Sequence, residues 1–390
     1  MFQQVIFVRW LALTTCFAVE GGTLMRISII ALGSQGDVQP LVSLGLGLQV
    51  SGHQIQIVTH PLFERMARDV GLEFSPVHVN PREVIESEAG QKSLARRNPI
   101  RGFQDFAQMV SPFILQAGSD CLTVSQETDA ILYSPLGSYV APHIAERLDI
   151  PAIGAYQQPV HETSAFPSFG SPTQRNLGSV VNRLTYQINR VMFWLPYRSV
   201  VNQFRQECLN LPPIPRSVNY SKYWGQHMPV VYGFSPSVVP KPSDWGDHIE
   251  VTGYWFLDRP ADWQPPSDLV DFLVAGPPPV YIGFGSMSTR KPEERTDLVL
   301  QALARTKQRG VLATGWGGLG QAELPEDVFK IKSVPHDWLL PQMAAVVHHG
   351  GAGTTAAGLR AGIPSIVIPF WIDQPFWGRR VSDLRVGPEP

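Results

Sequence analysis

Cysteine is scarce in this chain of 390 residues: there are three, Cys16, Cys121 and Cys208. Far apart and odd in number, they exclude a disulfide scaffold and a metal knuckle, fit a reducing compartment, and are most simply buried packing residues. Charge of one sign is lacking too. Lys plus Arg number 31 against 33 Asp plus Glu, a formal net charge of −2, which excludes a polybasic nucleic-acid binder. No apolar run reaches the ~18 residues of a membrane span. No basic amphipathic segment stands out either, so a cytoplasmic location with at most peripheral membrane contact is expected. Also missing are a D-x-D carboxylate pair and any His/Cys cluster at ligand spacing, so no metal is expected. There is no internal repeat and no low-complexity segment.

What the chain does have is apolar residues at 44%, with 34 Gly and 35 Pro and no collagen-like period, a composition of buried cores joined by many tight turns. A length beyond the ~250 to 300 residues at which one core stops growing predicts two domains. The amino terminus stands apart. Trp10 to Val19, behind a single Arg9, resembles the h-region of a signal peptide, but Met25-Arg26 directly precedes a strand, so Met25 is the expected true start.

From there strands and helices alternate, which implies parallel sheets. Ile27 to Leu32 reads as a buried strand, Gly33 to Pro40 as a turn whose proline opens a helix toward Gly52. Gln54 to Thr59 is a second strand, Pro61 to Val70 a helix, Leu72 to Val77 a third strand. Further strands are expected at 130–133, 152–156 and 229–234, with one long aromatic-rich helix from Arg183 to Leu211. Residues 256–268 have linker composition. Alternation then restarts, with strands at 279–284, 310–314, 344–349 and 363–369 and helices at 292–309 and 354–361.

The most informative segment is His348-His-Gly-Gly-Ala-Gly-Thr-Thr355, a strand end, a turn of small residues and a helix start. Free amides at a helix N-terminus, the macrodipole and close approach over glycine make an anion cradle, to which His349 and Thr354 can add hydrogen bonds. Its plainer alternative is Thr354 as N-cap and His349 as a satisfied core histidine. The turn Gly283-Phe-Gly-Ser-Met287 also ends a strand and could offer Ser286 to the same ligand, or be an ordinary turn. Gly315-Trp-Gly-Gly-Leu-Gly320 spells the dinucleotide fingerprint, but no helix follows, so it is rejected. Asp373-Gln374 suits vicinal sugar hydroxyls, or is a solvated loop pair. Asp37 is either a helix cap or a general base at the carboxyl end of a parallel strand. His161 competes as base, or lines a pocket.

Taken together, Ala31-Leu-Gly-Ser-Gln-Gly-Asp-Val-Gln-Pro40, Val251-Thr-Gly-Tyr254, Gly283-Phe-Gly-Ser286, Val334-Pro-His-Asp-Trp338, His348 to Thr355 and Pro369 through Asp373-Gln374 resemble the sterol glucosyltransferase and glycopeptide-antibiotic branch of the family 1 glycosyltransferases. The resemblance runs from Met25 to the end. It implies an α/β GT-B fold, two Rossmann-like parallel-sheet domains facing across a cleft: an acceptor-binding domain over 25–240 and a nucleotide-sugar-binding domain over 250–390. Related enzymes continue with further helices, so the second domain is expected to be truncated.

By the same resemblance Asp37 falls on the base. Ser286, Val334, His336, His349, Gly351, Ala352, Gly353, Thr354, Asp373 and Gln374 fall on positions that hold the nucleotide sugar. Tyr156, His161, Phe166 and Phe169, with the aromatic helix, suggest an apolar acceptor. Two departures matter: Gln35 stands where many relatives have arginine, and Ser333 where plant members stack a tryptophan on uracil, which leaves the nucleobase open.

The implied activity is an inverting, metal-independent hexosyltransferase that moves a hexose, glucose by preference, from a UDP-sugar to a hydroxyl of a sterol or other lipid. No cofactor is needed beyond the donor substrate, and no nucleic acid is a partner. Retaining GT-B enzymes carry paired glutamates in the donor domain, and no Glu occurs between Glu326 and Glu389. An ordinary Asp pKa of ~3.9 would make Asp37 a weak base, helped by positioning and concerted transfer. Two rivals stand beside this reading: a nucleotide-sugar-binding protein without turnover, and a sugar-nucleotide epimerase on the same architecture.

Overall fold

Arg26–Ile30 (β1) buries Ile27, Ser28, Ile29 and Ile30 in succession. Only a strand covered on both faces does that, and it marks a parallel sheet. The computed structural model describes residues 24–80, 83, 87, 99–215, 228–285, 292–315, 324–370 and 372–390, leaving aside the side chains of 99–104, 106 and 107. Contacts divide the chain between Leu257 and Asp258 into two compact units.

The first unit holds a seven-stranded sheet in the order β3-β2-β1-β4-β5-β6-β7, with Gln54–Thr59 (β2), Glu73–Pro76 (β3), Ala130–Tyr133 (β4), Ala152–Tyr156 (β5), Val230–Tyr232 (β6) and Ile249–Val251 (β7). Every neighbour is parallel. Its helices are Gln35–Val50 (α1), Glu64–Arg68 (α2), Pro99–Val124 (α3), Ala141–Leu148 (α4), Ser179–Trp194 (α5) and Arg198–Glu207 (α6).

The second unit holds a five-stranded parallel sheet, β10-β9-β8-β11-β12, made of Val280–Gly283 (β8), Gly310–Ala313 (β9), Val328–Ile331 (β10), Ala345–His348 (β11) and Ser365–Val367 (β12). Its helices are Ser267–Val274 (α7), Pro292–Thr306 (α8), His336–Leu339 (α9), Ala352–Ala361 (α10) and Gln374–Asp383 (α11). Tyr281 packs into one buried cluster with Val311, Leu339 and Val346, and its neighbour Ile282 into another with Phe284, Leu303 and Leu312, so the sheet is covered on both faces. In each sheet the strand order reverses, between β1 and β4 and between β8 and β11. Loops leaving the carboxyl ends of such a pair diverge and open a crevice for ligands.

Several expectations from the sequence need correction. Pro40 does not open α1. The helix begins at Gln35 with Ser34 as N-cap, and Pro40 lies inside it, forfeiting only the bond to the exposed Gly36. The long helix from Arg183 to Leu211 is two helices, α5 and α6, parted at Leu195-Pro196-Tyr197, where proline cannot continue the ladder. Pro61 to Val70 is a 3-10 turn, Pro61–Phe63, running into the short α2. Helix α3 was not anticipated, because Pro112 inside it reads as a breaker. Asp373-Gln374 is no loop pair: Gln374 opens α11. Cys121 is buried as expected, but Cys208 is exposed just past α6. Cys16, the 10–19 apolar run and residues 316–320 of the rejected fingerprint lie outside the described residues.

One polar cluster braces the first unit. Arg205, 2% exposed, grips Glu146 with two bonds of 2.7 and 3.1 Å, meets His143 Nδ1 at 3.0 Å and donates to the Pro212 carbonyl at 2.9 Å. Burial, with Arg205 adding to it, holds the His143 pKa down at about 3. Arg205→Ala is therefore expected to destabilise the chain by about 3 kcal/mol, the low end for a broken buried pair because Glu146 can rehydrate. Urea unfolding of wild type and variant checks this.

Candidate active site

At the carboxyl end of β11 the chain turns sharply. Buried His348 accepts the Gly350 N–H on Nδ1 at 3.1 Å. Gly350 has φ +89°, and a Cβ there would lie 2.7 Å from Val367 Cγ1 and 2.9 Å from the Gln374 carbonyl. Only glycine fits that turn. Gly351 is the N-cap of α10 and no side chain caps it, so the first-turn amides of Ala352, Gly353 and Thr354 are left for a ligand. Gly353 is exposed with open space around its Cβ direction, and Thr354 is half-buried. Thr355, not Thr354, is the buried hydroxyl, and it donates back to the Gly351 carbonyl at 2.9 Å.

His349 stands between two glycines. A Cβ on Gly351 would come within 2.5 Å of its Nε2, and one on Gly285 within 2.8 Å of its Cε1. Burial, opposed by the Gly283 backbone and reinforced by His336, lowers the His349 pKa to about 4. The ring is neutral at physiological pH and carries a single N–H. His336 begins α9, with Tyr281 OH 3.3 Å from its Nε2, and burial lowers its pKa as well. Val334 is buried in the core beneath, while Ser333 is exposed. Ser286 lies outside the described residues.

The Asp373–Gln374 pair comes to the same turn, since the Gln374 backbone closes on Gly350. Gln374 is buried, and its Oε1 accepts the Phe370 N–H at 2.7 Å. Asp373 Oδ2 accepts Trp377 Nε1 at 3.0 Å. One end of each side chain thus braces the loop from Phe370 to Asp373, in which Ile372 takes φ +59°. Phe370 meets Phe284 edge to face, with Arg295 over both rings, which ties this loop to the end of β8.

In the first unit the turn after β1 carries Asp37, the third residue of α1. Its Oδ2 accepts both the Ser34 N–H at 2.8 Å and the Ser34 Oγ–H at 3.0 Å. Among the described residues Oδ1 takes no hydrogen bond. Burial raises the Asp37 pKa despite the opposing Ser34 bonds, so it is a better base than an ordinary aspartate. Gly33, at φ +134°, lies against it, and a Cβ there would fall on the carboxylate. Ser134 ties the two loops of this switch point, accepting the Leu32 N–H at 3.0 Å and donating to its carbonyl at 2.9 Å. Nothing in the sequence marked Ser134.

Tyr156, at the end of β5, is buried edge-on to Tyr133. His161 is buried; its main-chain N–H donates to Tyr232 OH at 3.1 Å, and its Nδ1 lies 2.6 Å from the same oxygen. Phe166 sits edge to face with Trp245, which stacks on Tyr232. Phe169 is apart, against Phe193. Tyr232 and Trp245, the hub of this aromatic group, were missed because they lie about seventy residues further along the chain and single aromatics carry no pattern.

Residues 27–167 match the glycosyltransferase family 28 N-terminal domain, and residues 298–389 match the C-terminal domain of proteins like erythromycin biosynthesis protein CIII. The first unit thus carries a match to a glycosyltransferase family 28 N-terminal domain. It is 40% identical over 373 residues to sterol 3-beta-glucosyltransferase UGT80A2 of Arabidopsis thaliana, covering 94% of this chain and 58% of that protein. It is 37% identical to a sterol 3-beta-glucosyltransferase of Aspergillus terreus, of which it covers 26%. The chain thus spans little more than half the length of the plant relative and about a quarter of the fungal one. Its fold is shared with the calicheamicin glycosyltransferase CalG4, at TM-score 0.62 and 20% identity over 94% of this chain and 85% of that one. It is shared also with Streptomyces glycosyltransferase SsfS6 complexed with thymidine diphosphate, at TM-score 0.58 and 20% identity over 93% and 87%. Two parallel-sheet α/β units with these neighbours constitute the GT-B fold.

Proposed function

We propose that this chain is an inverting glucosyltransferase that uses UDP-glucose to glycosylate the hydroxyl of a sterol or similar lipid. The observation that carries the reading is the neutral His349, seated between Gly285 and Gly351 beside the uncapped N-terminus of α10. Bare amides, a helix dipole and a neutral donor suit a diphosphate, whose charge they stabilise as it leaves. Val334 and His336 would flank the nucleotide, and Asp373 and Gln374 would hold sugar hydroxyls. Asp37 Oδ1 would take the proton of the acceptor hydroxyl as that oxygen attacks the anomeric carbon. Attack opposite the departing diphosphate inverts the centre, and the amides supply the charge stabilisation that would otherwise fall to a metal. Tyr156, His161, Phe166 and Phe169 would face the acceptor. The curated relatives named for sterol 3-beta-glucosylation support the donor and acceptor classes.

Incubating the chain with UDP-glucose and a sterol, then measuring UDP release and the mass of the product, tests this. A sterol gaining one hexose is the expected result. UDP-glucose bound without turnover, or epimerised with no acceptor present, would replace the proposal with a binding protein or an epimerase.

A further inference from the structure

Helix α5 is built inside out. Its inward face buries Asn182, Tyr186 and Asn189, with Trp194 at its carboxyl end. Asn182 Nδ2 donates to the Ser164 carbonyl at 2.9 Å, Thr185 Oγ1 accepts the Ser168 N–H at 2.8 Å, and Asn189 Nδ2 donates to Ser168 Oγ at 2.6 Å. Its outward face is aliphatic. Val180, Leu184, Ile188 and Val191 are 81%, 54%, 54% and 54% exposed, and Leu195 continues the row at 62%. Steps of four, four, three and four residues place them in one stripe along the helix. A helix bathed in water on that side shows the reverse pattern, and a contiguous apolar stripe at the surface marks a face that something apolar covers.

Charge says what covers it. From Thr163 to Gln206 the chain carries five arginines, at 175, 183, 190, 198 and 205, and no Lys, Asp or Glu. Arg183, Arg190 and Arg205 meet Asp244, Glu162 and Glu146 from elsewhere in the unit. Arg175 is exposed two residues before Leu177, itself 40% exposed, and Arg198, whose Nη2 donates to the Ile214 carbonyl, follows the far end of the stripe. An aliphatic stripe with the exposed Arg175 just before its amino end, in a segment without its own acids, is complementary to an anionic bilayer.

We propose that α5 docks the chain on an anionic lipid surface, with Val180, Leu184, Ile188 and Val191 at the acyl boundary and the exposed Arg175 at the headgroups. No helix among the described residues is long and apolar enough to cross a membrane, so this contact is peripheral. The buried amides on the other side of α5 fasten it to the segment 164–168, next to Phe166 and Phe169. Docking would therefore set the proposed acceptor residues beside the lipid that supplies an apolar alcohol. The docking does not rest on the transferase reading, because vesicle binding is measured without turnover.

The test is co-sedimentation of the whole chain with phosphatidylcholine vesicles with and without phosphatidylserine. Wild type should partition onto the anionic vesicles, and the double variant Leu184→Gln/Ile188→Gln should bind about tenfold less or weaker still. Arg175→Ser should lose part of the preference for phosphatidylserine. Equal circular dichroism spectra and thermal midpoints in all three chains control for folding. Hydrogen exchange on vesicle-bound wild type gives a second readout that needs no variant, with protection expected over 177–195. Undiminished binding by the double variant, protection confined to another segment, or no vesicle binding at all would overturn the proposal. So would a wild-type dimer in solution that the double variant breaks, since the stripe would then be covered by a second copy.

Discussion

Asp37→Asn should slow transfer by orders of magnitude while leaving uridine diphosphate binding at the wild-type level. The amide keeps the shape of the carboxylate and can still accept the two Ser34 bonds, but it has no lone pair basic enough to take a proton. The expected loss in turnover is about 10²- to 10⁴-fold, the usual contribution of a positioned general base. Since burial raises the Asp37 pKa, wild-type turnover should fall as pH drops through that elevated value. The same shift fixes the sign of a stability effect. The folded chain holds this proton more tightly than the unfolded chain, so the contribution of Asp37 to stability is present at low pH and is lost as pH rises through the folded value. The substituted amide never ionises and avoids that loss. The variant should melt higher than wild type near neutral pH, with the gap closing in acid, a stability gain at the expense of function. Steady-state kinetics and thermal melts across pH check both halves, and wild-type turnover by Asp37→Asn would remove the base from the proposal.

How much of this was legible in the residues varies with distance along the chain. The α10 cradle was readable because strand, glycine turn and helix start are contiguous, so local rules alone place His349, Gly351 and Gly353. The start of α1 was legible in principle: Ser34 and Asp37 stand three apart, as in a capping box. Pro40 argued for a later start under the rule that proline favours a first turn, and the capping contact won because it satisfies Ser34 through a half-buried carboxylate. The hub of Tyr232 and Trp245 was not readable, since β6 meets β5 only once the sheet forms. Nor was the reversal of α5. Its aliphatic residues recur at helical spacing whichever way they point, and periodicity marks a face without saying whether that face turns inward. The buried side is settled by Ser164 and Ser168, which meet Asn182, Thr185 and Asn189 across the fold.

His349→Ala should weaken uridine diphosphate binding and slow transfer by about 10²- to 10³-fold, comparable to losing one preorganised donor at a developing charge. The amides of Ala352, Gly353 and Thr354 remain, so binding is reduced and not lost. Because the ring is held neutral down to about pH 4, wild-type affinity for UDP-glucose, whose esterified diphosphate does not titrate near neutrality, should show no step near 6.5, where an exposed histidine titrates. Stability should show one. His348 and His349 have folded pKa values of about 3 and 4, below the unfolded value, so as pH falls the unfolded chain takes up protons first. The stability these rings confer is present above roughly pH 6.5 and drains away on the way to pH 4. His349→Ala removes one of them and should flatten that acid loss, which urea midpoints at pH 7 and pH 5 measure directly. Gly351→Ala offers an independent probe, since its methyl group would sit 2.5 Å from His349 Nε2 and displace the ring without deleting it. If both variants bound uridine diphosphate like wild type, the diphosphate would have to be held somewhere other than the turn after β11.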